Sequence, residues 1–112
     1  MSKKKILLKG IAASPGIAEG KVKILHSPAD NEKMFQGDIL VASETTPEYM
    51  PAIFKAKAIV TDSGGILSHP AIVSRELRIP GVVGTFKATK ILKDGMEVIV
   101  DGVKGIIFSK AN

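Results

Sequence analysis

The residues best suited to chemistry lie in one run, AIVTDSGGILSHPAIVSRELRIPGVVG, residues 58–84. His69 is the side chain in it that changes charge near neutral pH, and it stands between Ser68 and Pro70, just beyond Gly64-Gly65. Proline suits the first helical position, where its missing N–H would have had no partner anyway. The spacing therefore predicts a helix from about Pro70, with His69 at or beside its cap. A helix start presents free N–H groups and the positive end of the helix dipole, a setting suited to phosphate. A glycine pair lets further backbone amides approach the same anion. Imidazole in water titrates near pH ~6.5, so the neutral form predominates at pH 7, and neutral imidazole is a competent nucleophile. A histidine that accepts and donates a phosphoryl group is the chemistry this arrangement favours. The plainer alternative is a structural histidine satisfied by its neighbours.

The supporting residues follow from that placement. Gly64, Gly65 and Ser68 are the expected phosphate binders. Thr61 at the loop's start and Arg75 along the helix are possible pocket or docking residues. So are Ser14, in the turn Ser14-Pro15-Gly16, and Thr46, before Pro47. Each has an ordinary reading as well: turn formation for Ser14, capping for Thr45 or Thr46, a surface ion pair for Arg75.

The elements that must hold these residues are short. Ala58–Val60 reads as a buried strand before the glycine loop. Pro80 displaces Ile79 from helical geometry and ends the helix, after which Gly81–Gly84 resumes as a strand. Within the helix, Ile72, Val73 and Leu77 are expected on a partly buried face, with Arg75 and Glu76 on the polar one. Upstream, Lys5–Lys9 reads as a first strand and Gly10–Gly20 as a loop of small residues. Lys21–Leu25 alternates as a half-exposed strand. Asp30–Gln36 is a polar linker or short helix, Ile39–Ala42 a strand, and Pro51–Lys55 a short helix. Downstream, Ala88–Leu92 suggests a helix. Asp94-Gly95 and Asp101-Gly102 bound a strand at Met96–Val100 and a closing strand near Gly105–Phe108. Six or seven strands with two or three helices make an α+β chain, and periodicity alone fixes no topology.

Composition narrows the class. At 112 residues the chain has room for one domain and one core, taken as residues 1–112. There is no cysteine, so no disulfide framework and no thiolate metal site, and no metal site is expected. No apolar run approaches the ~18 residues that would span a membrane. The apolar stretch after Lys3-Lys4-Lys5 is too short for a secretory leader, so a cytoplasmic setting is expected. The net charge of +5 raises nucleic-acid binding. The lysines are dispersed, however, and aromatics are 4% with no tryptophan, so stacking platforms are scarce. His26, before Ser27-Pro28, reads as an ordinary turn histidine.

The central run also resembles the phosphohistidine, or swivelling, domain of the phosphoenolpyruvate-utilising enzymes. The family pattern is roughly T-x-x-G-G-x-x-S-H-x-A-I-x-x-R-E-x-x-I-P-x-V-x-G. Thr61, Gly64, Gly65, Ser68, His69, Ala71, Ile72, Arg75, Glu76, Ile79, Pro80, Val82 and Gly84 fall on it. The likeness extends to GIAASPGIAEGKV (10–22) and ILKDGMEVIVDGVKGII (91–107). It implies a three-layer β/β/α domain of two small sheets with helices on one face. It implies that His69 is the phosphorylated residue, through Nε2. It also implies that ATP or phosphoenolpyruvate, with Mg2+, is bound by partner domains and not by this chain. The expected partners are separately encoded nucleotide-binding, phosphoenolpyruvate-binding or pyruvate-binding proteins, with movement between them by diffusion and docking. Two positions depart from the family. Leu67 stands where many members carry a threonine open to regulatory phosphorylation, and Pro70 stands where alanine is common. Two further readings stay open: a phosphate-binding regulatory module with no covalent step, and a basic nucleic-acid binder.

Overall fold

The computed structural model describes residues 4–110. Lys3 of the N-terminal lysine cluster lies outside them. Eight strands run in the order β1-β8-β7-β3-β4-β5-β6-β2. They are β1 (Ile6–Lys9), β2 (Ile11–Ser14), β3 (Ile17–Leu25), β4 (Ile39–Ala42), β5 (Ala58–Thr61), β6 (Gly81–Val83), β7 (Glu97–Asp101) and β8 (Ile106–Ser109). The helices are α1 (Met50–Ile53), α2 (His69–Leu77) and α3 (Ala88–Ile91), with 3-10 turns at Pro28–Lys33 and Pro47–Tyr49.

The order divides into two sheets that share β3. Its first half, Ile17–Lys21, pairs antiparallel with β7, and its second half, Val22–Leu25, pairs parallel with β4. Strands β4, β5 and β6 continue the parallel sheet, and β2 closes it antiparallel to β6. Strands β1 and β2 lie at opposite ends of the order, yet one residue joins them, Gly10. The chain therefore bends from one sheet to the other there, and the order nearly closes on itself. Only glycine fits this corner: a Cβ on Gly10 would lie 2.6 Å from the Val83 carbonyl oxygen and 2.8 Å from Thr85 Cγ2. The Gly10 amide donates to the Gly105 carbonyl at 2.8 Å, tying the corner to the β7–β8 turn.

Alternation along the parallel strands builds two cores. Ile39, Val41, Ala58 and Val60 face the other sheet, meeting Val98, Val100 and Ile107. Leu40, Ala42 and Ile59 face the opposite way and pack on Ala52, Ile53, Tyr49 and Val73. The result is the expected three layers, sheet on sheet on helices. Every residue of β4, β5 and β6 is buried, as strands covered on both faces must be. Each large aliphatic buried this way contributes roughly 1.5–3 kcal/mol.

Three expectations need correction. The small-residue stretch Gly10–Gly20 is not a loop. It forms β2 and the start of β3, with only Pro15-Gly16 between them. Small residues weaken a strand signal, but β6, paired with β5 on one side, has an open edge unless this segment covers it, and that pairing overrides propensity. There are eight strands as a consequence. In α2, Ile72 and Leu77 are exposed, and the buried face is Pro70, Ala71, Val73 and Ser74. The helix lies too close to β6 for larger groups: Ser74 packs directly over Gly81, where a Cβ would collide with the serine hydroxyl.

Candidate functional site

Strand β5 delivers the chain to the site at its carboxyl end. Thr61, fully buried, donates its hydroxyl to the Ser63 carbonyl at 2.7 Å and starts the turn. Its own carbonyl accepts from the Thr85 hydroxyl at 2.9 Å, which fixes the loop to the chain beyond β6. Gly64 has φ +108, and a Cβ there would lie 2.7 Å from Ser68 Oγ, so glycine is required on both counts. Gly65 is under neither constraint. Its carbonyl accepts from the Ser68 amide at 3.0 Å and the Ser68 hydroxyl at 2.7 Å. Among the described residues, no acceptor meets the amides of Gly64, Gly65, Ile66 and Leu67.

Helix α2 opens on His69 itself, with Ser68 in the capping position and Pro70 next. The Ser68 hydroxyl makes no cap bond and instead donates to the Gly65 carbonyl. His69 is partly buried, and its Nδ1 lies 2.8 Å from Thr45 Oγ1. Thr45, 5% exposed, comes from the segment after β4. When Nδ1 carries the ring proton and donates it to Thr45, Nε2 keeps its lone pair, and Nε2 meets no other group among the described residues. The helix has a defined stop. Arg78 takes the left-handed conformation at φ 58, the Ile79 amide donates back to the Ser74 carbonyl at 3.0 Å, and Ile79 packs on the helix-side core.

Arg75 makes no surface ion pair among the described residues, contrary to the expectation for it. Its guanidinium donates to the Ala13 carbonyl at 3.0 Å and the Ile66 carbonyl at 2.6 Å. It thereby ties the glycine loop to β2, and the Ala13 carbonyl lies within reach because β2 is a strand beside α2. Ser14 is buried opposite Gly81, beside the middle of α2 and away from its start. Thr46 caps the 3-10 turn by position, but its hydroxyl is buried without a hydrogen-bond partner. So the structure joins Gly64, Gly65, Ser68 and His69 directly, brings Thr61 and Arg75 in as supports, and leaves Ser14 and Thr46 outside the contacts to the ring. Thr45 is the contact that spacing could not single out from Thr46. Its partner lies 24 residues away, and only the parallel pairing of β4 with β5 brings the two together. His26 stays apart. Its amide donates to Asp30 at 2.8 Å and holds that carboxyl below its usual range.

Beside the glycine loop lies a pocket of about 490 Å3, lined by Ile11, Ser43, Asp62, Ser63, Gly64, Gly84 and Phe86. No line of sequence reasoning pointed to it. Among the described residues, no three metal-ligating side chains come together. No helix among them is long and apolar enough to cross a membrane.

The fold and this site define an α+β domain that presents a histidine at a helix start over a glycine loop. The model for the mobile domain of phosphoenolpyruvate-utilising enzymes matches residues 34–105. The chain belongs to that family. It is 62% identical over 104 residues to a probable phosphoenolpyruvate synthase of Archaeoglobus fulgidus, covering 93% of this chain and 14% of that protein. The chain therefore spans about a seventh of that relative. The solution structure of Enzyme I (nEIt) superimposes with a TM-score of 0.62 at 34% identity, over 72% of this chain and 34% of that one. Aconitase X of Thermococcus kodakaraensis shares the fold alone, with a TM-score of 0.63 at 22% identity, over 89% and 95% of the two chains. Family and fold support a phosphoryl-carrier role.

Proposed function

We propose that His69 is the phosphorylated residue and that it relays a phosphoryl group between a nucleotide- or phosphoenolpyruvate-binding partner and an acceptor such as pyruvate. The observation that supports this best is the ring's setting: Nδ1 on Thr45 at 2.8 Å, at the first residue of α2, above amides with no other partner. In the transfer, the Nε2 lone pair forms a bond to phosphorus as the bond to the donor's leaving oxygen breaks. The electron pair of that bond leaves with the oxygen. Positive charge develops on the ring and is met by the Nδ1–H bond to Thr45. The amides of Gly64–Leu67 and the start of α2 offset the charge of the transferred group, an effect of about 0.3–2 kcal/mol for the helix end alone. Positioning and charge neutralisation are most of what phosphoryl transfer needs. The remaining parts, Mg2+ with ATP or phosphoenolpyruvate, belong to the partner. A cytoplasmic setting, where those donors are present, fits this role.

Labelling tests the reading. The chain is incubated with cell extract and radiolabelled ATP or phosphoenolpyruvate, beside His69→Ala. Acid-labile, base-stable label on the wild type and none on the variant is expected. A folded wild-type chain that takes no label from either donor would overturn the carrier reading in favour of a non-covalent phosphate-binding module.

A further inference from the structure

Thr45 reaches His69 from a stretch of chain that no long element stiffens. Between β4 and α1 there is only the 3-10 turn Pro47–Tyr49. The 2.8 Å contact from Thr45 to Nδ1 therefore depends on what holds residues 43–48 at each end. At the front, the Ser43 carbonyl accepts from the Ser63 amide at 3.0 Å and from the Ser63 hydroxyl at 2.9 Å. Those bonds tie the segment to the glycine loop. At the back, the Glu48 carbonyl accepts from the Asn31 side-chain amide at 2.9 Å. Asn31 belongs to the other 3-10 turn, Pro28–Lys33, which follows β3. Both turns rest on one core, since Met34, just after the first, and Tyr49, last of the second, are buried together in it.

Asparagine is an unfavourable choice there on grounds of stability alone. Its Oδ1 is buried with no hydrogen-bond partner among the described residues. The same holds for the hydroxyl of Thr46, which stands at the cap of the turn that Asn31 holds and next to Thr45. A buried polar atom left unpaired lowers stability, and folded proteins carry few of them. Two at one junction, directly behind the residue that touches the ring, mark a place where stability gives way to position. An apolar side chain of similar shape would remove one unpaired atom, but it could not donate to Glu48.

We infer that Asn31 is a positioning residue for His69. By fixing the turn at Pro47–Tyr49 it holds the Thr45 hydroxyl where it accepts from Nδ1–H, which keeps the lone pair on Nε2. Asn31 acts on the ring only through this segment. The inference deepens the carrier reading and rests on it for the use made of Nε2, but the state of the ring is measured with no phosphate present.

The test is proton–nitrogen correlation NMR of the His69 ring at alkaline pH, where imidazole is neutral. The wild-type ring should show the Nδ1–H tautomer in excess. Asn31→Leu should shift it toward a mixture of tautomers and slow labelling on the order of fivefold at saturating partner. Its thermal midpoint should stay close to that of the wild type, because the buried Oδ1 leaves with the amide and Glu48 lies at the surface. Asn31→Asp, which keeps the shape and turns the donor into an acceptor, should shift the ring in the same direction. The double variant Asn31→Leu with Thr45→Val should label no more slowly than Thr45→Val alone. A wild-type ring held as Nε2–H would overturn the inference. So would a tautomer ratio unchanged in both Asn31 variants, or rate losses that multiply in the double variant. A wild-type chain that takes no label, while Asn31→Leu still shifts the tautomers, would sink the carrier reading and leave the positioning role standing.

Discussion

A histidine beside a glycine pair was legible in the sequence because its signals are local. Pro70 marks the helix start, and Gly64 answers a positive φ that the turn requires. Thr45 was only half legible, since its value depends on a 2.8 Å contact set by strand pairing. Its hydroxyl orients the ring, and in the tautomer where it accepts from Nδ1–H the bond strengthens as the ring gains charge, a contribution of about 1.5–3 kcal/mol. Thr45→Val should therefore slow labelling of His69 about tenfold or more, and Thr45→Ser should restore most of the rate. The check is the initial rate of label uptake at fixed donor and partner, alongside a thermal melt. A valine variant that melts like the wild type and labels at its rate would remove Thr45 from the mechanism. Phe86 was not legible at all. A single exposed phenylalanine in a sequence says nothing of the pocket that folding places beside it.

Elements were legible where their patterns are self-contained. The strands β4 and β5 follow from short apolar runs, and α2 from its proline and its spacing. Strand β2 was hidden, because IAAS carries no strand pattern and becomes a strand only by pairing with β6. The buried face of α2 was misread for a related reason. Close packing on Gly81 selects the small residues Ala71 and Ser74 for the inside and leaves Ile72 out. The end of α2 is equally a matter of geometry: Arg78 holds the left-handed position that glycine normally takes. Its side chain is exposed, so little is lost by removing it. Arg78→Gly should raise the stability of the chain by about 0.5–1 kcal/mol, read as an increase in the midpoint of urea unfolding at unchanged slope. A lower midpoint would mean that the arginine side chain contributes more than its backbone strain costs.

For the molecule as a whole, the closure of two sheets through Gly10 and β3 explains how so short a chain carries cores on both faces of one sheet. That architecture is shared with aconitase X, so it does not by itself assign a reaction. The role proposed above rests on the site the architecture carries, read as a cradle for one phosphoryl group with an open side. The exposure of Ile66 and Leu67 at 56% and 82% beside His69 is costly in isolation and makes sense where another surface covers it. The chain spans 14% of its Archaeoglobus relative, whose other parts lie outside this sequence. On the proposed function, positioning of the donor's leaving oxygen falls to a partner. Labelling of His69 should accordingly depend on partner concentration, rising linearly and then saturating, with the purified chain and ATP or phosphoenolpyruvate alone taking no label. Leu67→Ser, which removes exposed apolar surface from the rim and adds no charge beside the phosphoryl site, should raise the partner concentration needed for half-maximal rate several-fold and leave the saturated rate near its wild-type value. Label acquired by the purified chain at a rate independent of any added protein would show that the donor is bound and activated by these 112 residues themselves.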